Sequence, residues 1–112
     1  MSNAVARILD NLKDQGGLKG SDIASIMDVS APTVSRWSTG RAVPSLHTQT
    51  VIAELRYVVE RLSDYYSPDE TRLWLHARHP LLGDQRAIDL ITDGRTEDVL
   101  AAIERVDAAV YV

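Results

Sequence analysis

Residues 29–45 read VSAPTVSRWSTGRAVPS, and this stretch decides how the first half of the chain folds. Ser30 is of a type that caps helix N-termini, and Pro32 fits a first helical turn, where its missing N–H costs nothing. Gly40 and Pro44 are residues that end helices. The stretch therefore predicts a short helix from Ser30 to about residue 38, with a sharp break on each side.

The remaining sequence also predicts helices, so the fold class is all-α, a small helical bundle. Apolar residues recur at helical spacing, helix-start residues precede them, and no segment shows convincing strand alternation. The predicted helices cover residues 3–14, a short segment capped by Gly20 or Ser21, a long segment from Ser45 to about Ser63 with a wide apolar stripe, a segment from Pro68 with Leu73, Trp74 and Ala77 inward, Gln85–Thr92, and a last segment from Thr96.

Composition limits the classes of function. The 112 residues are 45% hydrophobic and 25% charged, which is typical of a folded protein. The absence of cysteine excludes disulfides, thiol catalysis and cysteine-based zinc sites, and it favours a reducing cytoplasm. No apolar run reaches the roughly 18 residues needed to span a bilayer, and the N-terminus lacks a signal-peptide pattern.

Charge is distributed unevenly along the chain. Residues 1–44 carry a net charge of +1, whereas residues 45–112 carry a net charge of −5. We therefore expect the two parts to face different partners. The wide apolar stripe of the helix over residues 45–63, which joins them, favours self-association as a homodimer.

The second and third predicted helices match the pattern of a helix-turn-helix, in which the second helix of the pair enters the major groove of DNA. Ala24 is a small residue where the two helices cross, and Val29 is the apolar residue after the turn. Val34 and Trp37 are the apolar pair on the buried side of the second helix. Residues 1–44 are therefore predicted to bind DNA.

This region resembles the Xre-type helix-turn-helix, because residues 35–40 read SRWSTG, a pattern that often ends the recognition helix of that family. One departure is Asp28, at a turn position usually held by glycine, although Asp tolerates left-handed backbone better than most residues. Arg36 is suited to bidentate contact with guanine, and few basic groups surround it, so specific binding would need two half-sites. The candidate DNA-binding residues are Lys19, Ser30, Ala31, Pro32, Thr33, Ser35, Arg36 and Arg41.

The C-terminal part resembles the toxin-binding domain of the MbcA/ParS/Xre antitoxin family. The resemblance rests on Trp74-Leu75, then on residues 79–83, HPLLG, then on Asp93-Gly94, and on the final Val110-Tyr111-Val112. The chain departs from the family pattern at Arg86-Ala87, where proline is frequent, and at Ala109, where glycine is usual. Together with the Xre-like part, the resemblance covers nearly the whole chain.

This resemblance implies a non-enzymatic type II antitoxin without a cofactor. Its implied partner is a RES-domain toxin that consumes NAD, by degrading it or by transferring ADP-ribose, and the antitoxin tail is expected to cover the NAD pocket. It further implies autoregulation through promoter DNA. The chain then divides into a DNA-binding part (1–44), a connecting helix (45–63) and a toxin-binding domain (64–112). The candidate toxin-binding residues are His79, Pro80, Leu81, Gly83, Val110, Tyr111 and Val112.

Other readings are weaker but remain open. The chain could be a stand-alone repressor whose C-terminal part only dimerises or binds a small ligand. His76 and His79 are spaced like a metal pair, but no further ligands complete a site. The paired acids Asp69-Glu70 and Glu97-Asp98 lie at predicted helix starts, where they complement the helix dipole, so they do not indicate a hydrolase.

Overall fold

The computed structural model describes the backbone of residues 3–110 and the side chains of residues 3–106. The all-α prediction is confirmed, and within that range no helix is long and apolar enough to cross a membrane. The described elements are α1 (Ala4–Gly16), α2 (Gly20–Met27), α3 (Ala31–Thr39), α4 (Leu46–Leu62), α5 (Pro68–His76), β1 (Arg78–His79), a 3₁₀ turn (Pro80–Leu82), β2 (Gln85–Arg86), α6 (Ala87–Thr92) and α7 (Thr96–Val110).

Hydroxyl and amide side chains cap the N-termini of four helices. Ser30, Ser45 and Ser67 each accept a hydrogen bond from a backbone N–H of the first turn of α3, α4 and α5, and Asn3 does so for α1. The cap at Ser30 was predicted. The prediction for α2 is wrong by one or two residues. Its N-cap is Lys19, whose backbone N–H donates to the Asp22 carboxylate at 2.9 Å. Each cap satisfies a backbone N–H that the helix itself leaves unpaired.

Helix α4 lies at the centre of the core. It packs against α1 and also against α6 and α7. Its apolar stripe is completely covered by this chain, because its members are at most 2% exposed: Val51, Ile52, Leu55, Val58, Val59 and Leu62. The expectation that this stripe serves self-association is therefore wrong, and one continuous core runs through the three parts of the chain.

The buried face of α5 differs from the predicted one. Leu73 is 64% exposed, Ala77 is exposed and Trp74 is only half-buried, whereas Thr71 and Leu75 are completely buried. Thr71 and Leu75 are four residues apart and so lie on one side of the helix. This buried face was not recognisable in the sequence because threonine is a polar residue type, although its methyl group can pack like that of an apolar residue. The Thr71 hydroxyl has no hydrogen-bond partner.

A small antiparallel sheet, absent from the prediction, follows α5. Arg78 pairs with Arg86 and His79 pairs with Gln85. The chain reverses through the 3₁₀ turn and then through Gly83 and Asp84, which both have positive φ, 65° and 61°. The helix predicted over Gln85–Thr92 therefore begins only at Ala87. Strands of two residues are too short to produce the alternation that identifies a strand in a sequence.

Candidate functional site

The connection between α2 and α3 is a tight turn of three residues. Asp28 adopts left-handed backbone, with φ 55°, and Val29 N–H donates to the Ala24 carbonyl at 2.9 Å. Ala24 itself is 6% exposed. The turn therefore forms with Asp28 in the position usually held by glycine, as expected.

Helix α3 is anchored by two side chains and presents the others to solvent. Val34 and Trp37 are 2% and 5% exposed, as the helical spacing predicts. Thr33 is half-buried, and the remaining candidates on α3 are exposed: Ala31, Pro32, Ser35 and Arg36. The solvent side of α3 thus carries small and hydroxyl-bearing groups around one guanidinium.

Arg36 is held along the solvent side of α3 by its neighbours. Its Nη2 donates to Thr33 Oγ1 at 3.3 Å, and that hydroxyl lies 2.8 Å from Ser30 Oγ. Both other candidates, Lys19 and Arg41, are exposed, at the start of α2 and just after α3. Arg36 has no carboxylate partner among the described residues, which leaves most of its N–H donors available to a ligand.

The turn that follows α5 is fixed by an aromatic contact. The rings of Trp74 and His79 stack with centroids 4.4 Å apart, and His79 Nε2 lies 2.7 Å from the Trp74 carbonyl oxygen. This carbonyl belongs to the last turn of α5, so the imidazole satisfies an acceptor that the helix leaves unpaired. His79 and Trp74 therefore support the turn, and Pro80, Leu81 and Gly83 project their exposed groups from it.

A groove of about 270 Å³ separates this turn from α7. Leu81 and Gly83 lie on one side of it, and Leu82, which is 6% exposed, anchors the turn to the core. Ala101 and Arg105 line the α7 side of the groove, and neither was predicted as a site residue. Their spacing of four places them on one helix face, but only the position of the turn identifies that face as part of a groove.

The structure does not describe the predicted tail contacts. Val110 is the last helical residue of α7, and its side chain lies outside the described residues. Tyr111 and Val112 lie outside them entirely. Their role in toxin binding stays a prediction.

The histidines do not form a metal pair. His76 Nδ1 lies 2.8 Å from the Arg72 carbonyl oxygen, and His79 Nε2 bonds to the Trp74 carbonyl oxygen. Among the described residues, no group of three His, Asp or Glu side chains could hold a metal ion. Both imidazoles instead hydrogen-bond to backbone carbonyl oxygens of α5.

An ion pair connects the N-terminal part to the C-terminal part. Arg72 of α5 donates to both oxygens of Asp22 of α2, at 2.9 and 3.3 Å. The hydrogen bond from Arg72 lowers the pKa of Asp22, whose side chain is 13% exposed. Sequence reasoning missed this pair because its partners are 50 residues apart.

Asp22→Asn is expected to lower the thermal midpoint at neutral pH and to do so less at acid pH. Because the pKa of Asp22 is lower in the folded chain than in the unfolded one, its stabilisation is present above the unfolded pKa of about 3.9. It is lost as the pH falls through the folded pKa. Thermal unfolding from pH 7 to pH 3 measures the difference between variant and wild type.

The control for this experiment is Asp10→Asn, which removes an exposed carboxylate on α1 and is expected to change the midpoint little. A deficit in Asp22→Asn that stays constant down to pH 3 would contradict the assigned role of the ionised carboxylate.

The chain is similar over nearly its whole length to mycobacterial antitoxins. A probable mycobacterial cidal antitoxin of Mycobacterium tuberculosis (strain ATCC 25618 / H37Rv) is 37% identical over 107 residues, 96% of this chain and 90% of the relative. The mycobacterial cidal antitoxin MbcA of Mycobacterium bovis and Mycobacterium tuberculosis is 29% identical over 110 residues, 98% of this chain and 97% of the relative. No protein-family model matches the sequence. The chain belongs to the MbcA family of antitoxins.

The fold agrees with this assignment. A crystal structure of the MbcT–MbcA toxin–antitoxin complex of M. tuberculosis contains a chain that superposes with a TM-score of 0.82, at 29% sequence identity. The superposition covers 99% of this chain and 100% of that one. The similarity therefore extends from α1 to α7 and is not confined to one part of the chain.

Proposed function

We propose that the chain binds and inhibits a RES-domain toxin that consumes NAD, and that it also binds promoter DNA to regulate its own synthesis. In this proposal residues 1–44 bind DNA and residues 64–112 bind the toxin, in the bacterial cytoplasm. The observation that carries toxin binding is the full-length similarity to an antitoxin solved in complex with its toxin. The RES class and the use of NAD follow from the family resemblance of the C-terminal part.

The toxin-binding surface would combine the turn, the groove and the tail. The turn offers Leu81, which is 52% exposed, and the groove offers the cation Arg105 beside both apolar and charged residues, among them Leu82 and Asp98. The tail would add the aromatic ring of Tyr111 to this surface. An exposed leucine next to a groove is a suitable anchor for a protein partner.

DNA binding is supported by the charges around α3. The chain has a net charge of −4, yet it carries no Asp or Glu in the 25 consecutive residues from 29 to 53. Arg36 and Arg41 lie within this acid-free segment and are exposed. Since phosphates repel carboxylates, the absence of acids from this segment favours the approach of α3 to the DNA backbone.

Arg36→Ala is expected to weaken binding to the promoter of the chain's own operon about 10-fold or more, and to weaken binding to unrelated DNA much less. The reason is that a bidentate contact between arginine and guanine discriminates by roughly 1–3 kcal/mol, whereas a phosphate contact does not read sequence. Fluorescence anisotropy with both DNA fragments at one fixed salt concentration measures the two affinities.

Arg105→Ala is the matched control, because it removes the same charge from the groove at α7. It is expected to leave both affinities nearly unchanged. Equal losses on the two DNA fragments in Arg36→Ala would make Arg36 a phosphate contact, and the absence of binding by the wild type would refute the DNA proposal.

A further inference from the structure

A series of hydrogen bonds runs along one side of α3 and ends at Arg36. The Thr33 N–H donates to Ser30 Oγ at 3.3 Å, which caps the helix, and Thr33 Oγ1 lies 2.8 Å from the same serine oxygen. Arg36 Nη2 then donates to Thr33 Oγ1 at 3.3 Å. Residues spaced three apart lie on one side of a helix. The cap of α3 and its exposed guanidinium are therefore connected through one threonine.

The hydroxyl of Thr33 is largely used within the helix. A threonine hydroxyl has one donor and two acceptor positions. One acceptor position takes the N–H of Arg36, and a second position is used with Ser30. Thr33 is also half-buried, whereas Arg36 is exposed. Because little of this hydroxyl is left for a phosphate or a base, we expect Thr33 to affect DNA binding through Arg36.

The guanidinium of Arg36 keeps a complete pair of donors for DNA. It has five N–H groups, and the hydrogen bond to Thr33 uses one hydrogen of Nη2. If that hydrogen is the one on the Nε side, the edge formed by Nη1 and Nη2 keeps both of its donors. If it is the one on the Nη1 side, the edge formed by Nε and Nη2 does. Either edge can donate to O6 and N7 of one guanine.

The hydrogen bond to Thr33 also directs the guanidinium toward the N-terminal end of α3. Three residues correspond to about 4.5 Å along a helix, so the charge lies over the turn that precedes Arg36. In a helix-turn-helix, the N-terminal residues of the recognition helix are the ones that reach base edges. A free arginine side chain has many rotamers and loses them on binding, whereas a restrained one has less freedom to lose.

We propose that Thr33 is a positioning residue, which holds Arg36 in the orientation that reads a guanine and makes no base contact of its own. Ser30 supports this arrangement, because its cap fixes Thr33 from the other side. The inference rests on the proposed DNA binding. It replaces the predicted role of Thr33 as a DNA contact with a role in the specificity of Arg36.

Thr33→Val tests this role, because valine keeps the branched shape and removes the hydroxyl. We expect its affinity for the promoter of the chain's own operon to fall about 5-fold, the usual value of one such hydrogen bond. Its affinity for unrelated DNA should stay the same. Thr33→Ser retains the hydroxyl and should bind both fragments as wild type does. Fluorescence anisotropy at one fixed salt concentration measures these affinities.

Helix α4 offers a matched control, because its start repeats the same serine–threonine pair without an arginine. Ser45 Oγ accepts a hydrogen bond from the Thr48 N–H at 3.2 Å and donates one to Thr48 Oγ1 at 3.1 Å. Three residues further on lies the buried Val51. Thr48→Val should therefore lower the thermal midpoint about as much as Thr33→Val does, but leave both DNA affinities unchanged.

A second test asks whether Thr33 acts through the guanine contact. The promoter fragment is made with 7-deazaguanine in place of guanine, so that a C–H group replaces each N7 acceptor. We expect wild type to bind this fragment about 10-fold more weakly than the natural one, and Thr33→Val to bind it as well as wild type does. In an Arg36→Ala background, Thr33→Val should likewise have no effect on either fragment.

The outcomes separate this inference from the DNA proposal. If wild type fails to bind the promoter, both fall. If Arg36→Ala loses specificity but Thr33→Val matches wild type, the positioning role alone is wrong. If Thr33→Val causes the same loss on the 7-deazaguanine fragment or in the Arg36→Ala background, Thr33 contacts DNA directly and the positioning role is again wrong. Equal binding of wild type to both fragments would overturn the guanine contact, and the positioning role with it, while DNA binding would stand.

Discussion

Removal of Val110–Val112 is expected to abolish neutralisation of the toxin and to leave the affinity for promoter DNA unchanged. Among the described side chains of α7, the last buried one is Ile103, seven residues before the deletion. The deletion therefore takes nothing from the described core. What it removes is Tyr111 with its two flanking valines, which we propose to occupy the toxin's NAD pocket.

Growth rescue measures this effect. The product of the adjacent gene is co-expressed with the full-length chain, and then with the truncated chain. We expect growth with the first and death with the second. Replacement of Val110–Val112 by Gly-Ser-Gly is the matched control, because it keeps the length of the tail. Death with this variant would assign inhibition to the side chains, whereas growth would assign it to the backbone of the tail.

Two other results would change the proposal. Growth with the truncated chain would keep the antitoxin function and move inhibition to the turn and the groove at Leu81 and Arg105. A neighbouring gene product that is harmless on its own would favour the stand-alone repressor. The first of these results counts only if the truncated chain matches wild type in thermal unfolding and in promoter binding.

The helix ends of this fold were predictable because their causes are local. Ser30, Ser45 and Ser67 cap helices through bonds to backbone groups three residues away, and proline follows Ser67 directly. The buried pair of α3, Val34 and Trp37, follows from helical spacing alone. Such features depend on a few consecutive residues, so a single sequence contains them in full.

The features that sequence missed depend on distant parts of the chain. The apolar stripe of α4 gives no sign of whether it is covered by the same chain or by a second copy, and only the fold shows that α1, α6 and α7 cover it. The buried face of α5 includes Thr71, whose polar type conceals it. The Asp22–Arg72 pair joins α2 to α5 and has no signal at any local spacing.

The candidate site divides in the same way, because its local features were predictable and those that depend on distant parts of the chain were not. The outward positions of α3 follow from its periodicity, and the structure exposes all of them except Thr33, which is half-buried. The groove beside Leu81 was not predictable, because it depends on how the turn after α5 packs against α7.

Gly17→Ala is expected to destabilise the chain by about 3 kcal/mol, which corresponds to roughly 10–15 °C in thermal midpoint. Gly17 ends α1 with φ +63°, a conformation that disfavours any residue with a Cβ atom. A Cβ atom at this position would also lie 2.7 Å from the backbone carbonyl oxygen of Pro68. The variant therefore combines backbone strain with a collision against the first turn of α5.

Gly94→Ala separates these two causes. Gly94 has φ +80°, and a Cβ atom there would meet nothing within 4 Å. Its loss should be limited to the strain of left-handed backbone, about 1 kcal/mol. Urea and thermal unfolding of both variants measure the difference, and the excess in Gly17→Ala reports how firmly α1 and α5 are held together. Equal losses would mean that α5 moves aside at little cost, so that the close approach of Pro68 to Gly17 does not contribute to stability.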